Sequence, residues 1–379
     1  MHKMRKIGSI ITVSSGGTPN RKREDYYSGG TIPWVKTGDL KGKFIEKPKE
    51  YITPVGLQNS SAKLFPKNTV LVAMYGATIG ACSILDEEAA TNQACAALLP
   101  CSEIEPAFLY FYFSSIKNDL VNKGVGGAQP NISLGILKNL EIPLPSLEEQ
   151  KKIAAILDAA DEYRQKTKAL IDKYDQLTQS LFLDMFGDLD GKATLLGEFI
   201  KLLGGGTPSK DVEEFWNGNI PWASVKDLKS DYLISTQDSI TEDGVSNSAT
   251  RIVKKGTLII ATRMAVGKCA IPTKDMAINQ DLKAVKIIKG LNVKFLQFLL
   301  KSKKSHFEHV STGATVKGIK ISHITDLKVL IPELSLQNQF AERVAQIEKQ
   351  KQQAEASLVK AEELFSSLLQ RAFKGELTS

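Results

Sequence analysis

The side chains best suited to gripping another molecule are Arg21, Lys22, Arg23, Lys36, Tyr75, Thr78, Gln129 and Asn131 in the first half of the chain. In the second half they are Ser209, Lys210, Arg263, Lys268, Thr315 and Lys317. Arginine offers a planar fork of donors that fits guanine, glutamine and asparagine suit adenine, and lysine neutralises phosphate. That is recognition chemistry. For catalysis the chain offers little: it has no GxxxxGK(S/T) phosphate loop, no GxGxxG after a strand, no HExxH and no GxSxG. His306 and His309 stand three apart with no third ligand nearby in sequence and read as a solvated helix face. The acidic pairs Glu87-Glu88 and Glu242-Asp243 read as turn and surface charge.

Composition agrees with a polyanion partner. The 379 residues carry a net charge of +7. Residues 1–146 hold +4 and 189–333 hold +6, while 147–188 hold −3 and 334–379 are neutral. The positive charge therefore sits on two separate segments, as a long anionic ligand touching both would favour. No apolar run reaches the roughly 18 residues of a membrane span, and the opening MHKMRKIGSI lacks the apolar region of a secretion signal. Cys82, Cys95, Cys101 and Cys269 show no CxxC spacing and read as reduced thiols, so a cytoplasmic location is expected.

An internal repeat positions these residues. Gly16-Gly17-Thr18-Pro19 recurs at 205–208, Ile32-Pro33-Trp34 at 220–222, and Asp39-Leu40 at 227–228. Gly80 and Cys82 recur as Gly267 and Cys269, Asn92-Gln93 as Asn279-Gln280, and Pro145 as Pro332. The offset stays between 186 and 189, so the chain is two copies of one unit. Each copy reads as a mixed arm: short buried strands at 69–75 and 257–262, short helices at 106–115 and 293–302, and extended pieces at 140–144 and 327–331. Gly-Gly-Thr-Pro reads as a turn using a glycine with positive φ.

Each arm leads into a long amphipathic stretch. In the first, Ile153, Ile156, Ala160, Tyr163, Thr167, Leu170, Tyr174, Leu177 and Leu181 alternate three and four apart, the seam of a coiled coil. In the second, Val344, Ile347, Lys351, Ala354, Leu358, Ala361, Phe365 and Leu368 keep the same period. The expected architecture is α+β: two homologous arms (1–146 and 189–333) separated by two helices (147–188 and 334–379) that form an antiparallel coiled coil with pseudo-twofold symmetry. The chain end then returns to the first arm.

The tandem GGTP, IPW and DL motifs, the GAxxGxC turn and the proline-rich entry into each helix closely resemble the specificity subunit of type I restriction–modification systems. The entry is carried by Pro143, Pro145, Leu147, Glu149 and Gln150. Its second copy is read as Pro332, Leu334, Asn338 and Gln339, with two inserted residues. The resemblance covers the whole chain. It implies target recognition arms, spacer helices that dock two methyltransferase subunits, and restriction subunits that complete the complex on double-stranded DNA. S-adenosylmethionine, ATP and Mg2+ are then expected in the partners, and no cofactor in this chain. It also implies where the DNA-reading residues lie. Arms that read different half-sites keep scaffold positions, such as Gly16, Trp34 and Gly80, and change reading positions. Tyr75 gives way to Arg263, Lys36 to Ser224, Asn20–Arg23 to Ser209–Asp211, and Gln129 and Asn131 to Thr315–Lys317. A coiled-coil scaffold whose arms bind other proteins is the competing reading, and duplex binding separates the two.

Overall fold

The computed structural model describes residues 3–124, 131–313 and 316–377. They divide into two compact units, Met1–Ala169 with Glu355–Ser379, and Leu170–Ala354. Each unit is one arm packed on part of both long helices.

In the first unit, one sheet runs in the order Val13–Ser15, Cys95–Leu98, Val70–Ala73, Cys82–Ile84. Val70–Ala73 is buried throughout because both of its faces are covered. Val70 and Val72 point into a core with Phe108, Phe111 and Phe113 of the helix Pro106–Ser115, while Leu71 packs with Val35, Phe65 and Ala97 on the other side. A second sheet, Tyr51–Ile52, Ile32–Val35, Ala89–Thr91, Leu64–Phe65, supplies that other side. Its inner pair is parallel, with Trp34 opposite Ala90.

The second unit repeats this plan. Ile259–Ala261 lies between Leu282–Ile287 and Cys269–Pro272 in a five-stranded sheet. Trp216–Ala223 pairs in parallel with Met276–Ile278, which sets Trp222 opposite Ala277. Both tryptophans are core residues, and each indole N–H donates to a glycine carbonyl at 3.1 Å, Trp34 to Gly17 and Trp222 to Gly206.

The paired glycines act differently from the expected turn. None of Gly16, Gly17, Gly205 and Gly206 has a positive φ. A Cβ on Gly16 would stand 1.9 Å from the Thr91 carbonyl oxygen, and one on Gly205 would stand 2.1 Å from that of Ile278. The glycines are required by close backbone approach, not by backbone handedness.

Each arm is closed by a short antiparallel pair, Met4–Lys6 with Glu141–Pro143 and Thr194–Leu195 with Lys328–Val329. The strand then feeds a helix: Leu147–Phe186, the central helix, or Leu334–Lys374, the C-terminal helix. Ser146 caps the first, with its Oγ accepting from Glu149 N at 3.3 Å and its carbonyl accepting from Gln150 N at 2.9 Å. At 40 residues the central helix is about 60 Å long.

Gln150 and Gln337 are both fully buried and make matching bonds. Gln150 donates to the carbonyls of Glu103 and Pro145 and accepts from Glu105 N. Gln337 donates to Gly290 and Pro332 and accepts from Asn292 N. The repeat of Gln150 is therefore Gln337, not Gln339, and the offset of Pro145 and Pro332 continues into the helix with no insertion. The glutamine must stand five residues after the proline to reach its carbonyl, which fixes the alignment.

Within each unit the helices run antiparallel. In the first, the Arg164 guanidinium lies 4.4 Å from the Phe365 ring centre, and Lys168 pairs with Glu362 at 3.1 Å. In the second, Lys351 pairs with Asp175 at 2.6 Å, and Phe182 packs on Phe340 at 5.5 Å between ring centres. The C-terminal end of the chain lies on the first arm, with Phe373 against Phe108 and Tyr112.

The seam of the C-terminal helix is as expected: Val344, Ala354, Ala361 and Phe365 are buried, and Ile347, Lys351, Leu358 and Leu368 are half-buried. The central helix corrects half of its predicted seam. Ile153 and Thr167 are buried, but Ile156, Tyr163, Leu170 and Leu177 are exposed. Their places are taken by the next residues along, Leu157, Arg164, Ile171 and Thr178. The inward stripe steps four then three residues and not three then four.

The arms are fastened to the helices by different means. In the first unit Lys43 pairs with Asp158. In the second, the buried ammonium of Lys294 bonds Glu348 at 2.9 Å and Gln297 at 3.1 Å and lies 4.2 Å from the Tyr232 ring centre. Tyr232 donates its hydroxyl to Glu348 at 2.8 Å, and burial first, then that carboxylate, raise its pKa.

Candidate nucleic-acid interface

The same frame carries the candidate loops in both arms. Thr18 donates its hydroxyl to Gln93, and Thr207 to Gln280. These bonds tie the Gly-Gly-Thr-Pro loop to the segment after the parallel strand. That segment in turn holds the turn leaving the central strand: Met74 N bonds Ala94 O at 2.9 Å, and Thr262 N bonds Asp281 O at 2.8 Å. A third segment joins on the far side, through Ile132 N to Met74 O and Ile319 N to Thr262 O, both at 2.9 Å. Each arm thus gathers three loops from distant parts of its sequence onto one edge.

In the first arm Tyr75 bridges Asn131, and Tyr75 is 44% exposed. Thr78 is half-buried and spends its hydroxyl on the Tyr75 carbonyl at 3.1 Å. Arg21, Lys22 and Arg23 are exposed. Arg21 and Lys36 share one carboxylate, Glu50, and the Arg21 guanidinium stacks 4.7 Å from the rings of Tyr27 and Trp34. The Lys36 hydrogen bond, followed by that of Arg21, holds Glu50 below the usual carboxylate range against the effect of its burial. Two cations on one anion leave one positive charge on a fixed platform, which suits a phosphate. Arg23 is bidentate to Asp25, at 2.8 Å for both bonds, so its charge is neutralised locally. Lys22 is ordered through its backbone N–H to Asn20.

In the second arm Arg263 bridges Gly318 through its backbone, and its guanidinium bonds Asp281 at 3.1 Å. Asp281 is buried and also accepts from Asn279 at 3.2 Å, so the arginine is braced from behind while half its side chain remains exposed. Lys317 is exposed, and its carbonyl accepts from Met264 N at 2.9 Å. Lys268 is exposed at the end of the same turn, and Ser209 and Lys210 are exposed on the loop after Pro208. Gln129 and Thr315 lie outside the described residues.

Three cations escaped the sequence reading. Lys63 and Arg251 are exposed at matched positions, and each reaches the strand that precedes the glycine pair: Lys63 bonds Ser14 Oγ at 3.1 Å and Arg251 bonds Gly204 O at 3.3 Å. The position is basic in both copies, so the matched spacing and not a change of residue marks it in the sequence. Lys283 is the third. Burial, partly offset by Asp281, lowers its pKa, and the neighbouring Arg263 charge lowers it further.

Among the described residues no group of three or more His, Cys, Asp or Glu side chains could hold a metal ion, and no helix is long and apolar enough to cross a membrane. Burial pushes the thiols of Cys82 up to about 11 and of Cys95 and Cys269 up to about 12, which makes them poor nucleophiles.

Two arms of one design, each presenting a partly basic cluster of loops on a helix-braced core, define a two-part recognition protein. The family model for the type I restriction modification DNA specificity domain matches residues 2–173 and 192–360, and the chain belongs to that family. It is similar to the MjaIX specificity subunit of Methanocaldococcus jannaschii, 26% identical over 99% of this chain and 93% of that protein. It is also similar to the EcoR124I/EcoR124II specificity subunit of Escherichia coli, 26% identical over 85% and 80%. The fold matches the crystal structure of a type I restriction–modification S subunit from M. genitalium, with a TM-score of 0.61, 18% identity, and coverage of 98% and 96%. A structure from a study of assembly of the type I restriction–modification system gives a TM-score of 0.65 at 18% identity, covering 99% and 98%. The function is that of a specificity subunit: the chain supplies recognition of DNA sequence.

Proposed function

We propose that each arm reads one half of a bipartite duplex target, that the two long helices set the unread gap, and that they dock two methyltransferase subunits. In this reading, restriction subunits join the same complex in the cytoplasm. The partners carry S-adenosylmethionine, ATP and Mg2+, and this chain performs no bond-breaking step. The observation that carries it is a shared frame with unlike tips. The Thr18–Gln93 and Thr207–Gln280 bonds repeat, yet the turns they help hold present Tyr75-Gly76 in one arm and Arg263-Met264 in the other. Equal frames with different tips suit two different short sequences. Docking has its own support in Ile156, Tyr163, Leu170 and Leu177, exposed at seven-residue intervals along the central helix, which is the spacing a partner helix needs.

Mobility shifts at low salt with mixed duplexes, alone and with the methyltransferase added, test the reading. Sequence-selective binding that sharpens with the partner is expected. A scaffold protein would shift no duplex in either case. Methylome sequencing of the host with and without this chain then reads out the target. Inserting one heptad into each helix lengthens the helix pair by at most about 10 Å, so the unread gap should grow by at most about three base pairs. An unchanged gap at full activity removes the helices as ruler.

A further inference from the structure

Three non-glycine residues among those described have a left-handed backbone: Asn68, Asn217 and Met264. Asparagine tolerates that region because its short side chain bonds locally, but methionine has no such compensation. The φ of Met264 is 63°, and its repeat counterpart Gly76 has 67°. The second turn is one residue shorter, Ala261 to Gly267 against Ala73 to Gly80, yet each turns left-handed at the residue directly after Tyr75 or Arg263, once with a residue that suits that backbone and once with a residue that strains it. Space does not explain the difference, since a Cβ on Gly76 would meet nothing within 4 Å. Nor does burial, because Met264 is 61% exposed and gains little packing for its strain. The backbone is held regardless: Met264 N bonds Lys317 O at 2.9 Å, and the preceding residue, Arg263, is fixed by Gly318 and Asp281.

We infer that Met264 is a specificity-determining residue of the second arm, an apolar probe that touches the 5-methyl group of a thymine in the major groove beside the site of Arg263. Strain kept at an exposed position is explained by a contact outside the chain. An unbranched thioether next to a charged fork matches the mixed edge that thymine and guanine present together, a methyl beside acceptors. The first arm, with Gly76 in that place, lacks the probe and reads its half-site by other means. The inference rests on the proposed reading of the arms as DNA readers.

The test uses the full chain with its methyltransferase partner and selected duplexes in which each thymine of the second arm's half-site is replaced in turn by deoxyuridine, which lacks the methyl. Wild type should lose about fourfold in affinity at one position, the weight of one buried methyl. Met264→Gly should bind thymine and uracil alike at that position, keep its discrimination elsewhere, and melt no lower than wild type because the strain is relieved. Met264→Leu should retain part of the discrimination. The inference is overturned if Met264→Gly still distinguishes thymine from uracil, if it melts clearly lower, or if no thymine matters in that half-site. If wild type selects no sequence at all, the DNA-reading function itself fails, and that outcome is separate from the failure of Met264.

Discussion

Gln150 and Gln337 occupy the same place in their two units, fully buried one turn into a helix, each donating to the carbonyl of the proline five residues before it. Each also stitches that helix start to the segment that begins the arm's short aromatic or amphipathic helix. Gln150→Ala should therefore leave a buried N–H and two carbonyls without partners. A loss of about 3 kcal/mol is expected, read by urea denaturation, with Gln337→Ala costing a similar amount. Near-neutral values for both would mean that water replaces the amide.

Arg263→Ala should impair recognition of one half-site and leave the other intact. A lost bidentate base contact costs about 1–3 kcal/mol. Asp281→Asn should give a smaller loss at the same base position, because the brace weakens while the guanidinium remains. Affinity measured across a library with one base pair varied at a time separates this from a phosphate contact, which would weaken all duplexes equally.

Lys63→Ala and Arg251→Ala should behave in the opposite manner. Both residues are exposed and basic at matched positions, and both lie beside the start of the glycine-pair loop. Each substitution should lower affinity for every sequence and reduce the slope of log affinity against log salt by roughly 0.9. A change of sequence preference would move them from phosphate to base.

Tyr163→Glu and Leu177→Glu test the outer stripe of the central helix. Both residues are at least half exposed, so thermal stability should change by no more than about 0.5 kcal/mol. Co-purification with the methyltransferase should be lost, because each change buries a carboxylate against an apolar partner. Retained co-purification by both variants would place the docking surface elsewhere.

Much of this architecture was legible in the order of residues. The matches from Gly16 to Pro145 and from Gly205 to Pro332 are local identities, and they carry the two-copy plan. Trp34, kept as a scaffold position, and its counterpart Trp222 are both buried. The short helices expected at 106–115 and 293–302 are both present. Tyr75 and Asn131, 56 positions apart, could be nominated because each differs between the copies. Only folding made them neighbours.

What the sequence by itself determined was the period of the helices and the repeat of the arms. What only the tertiary structure decided was which of two adjacent stripes turns inward. Ile156 and Leu157, Leu170 and Ile171 are neighbouring apolar pairs, and a 3.5-residue period is satisfied by either member. Arg164 sits in the inward stripe over Phe365 while Tyr163 faces out, a choice made by the opposing helix and not by hydrophobicity. The glycine pair follows the same logic. Its composition announces a tight place, but only the Thr91 and Ile278 carbonyls pressing against Gly16 and Gly205 show that the tightness is across the chain and not within the turn.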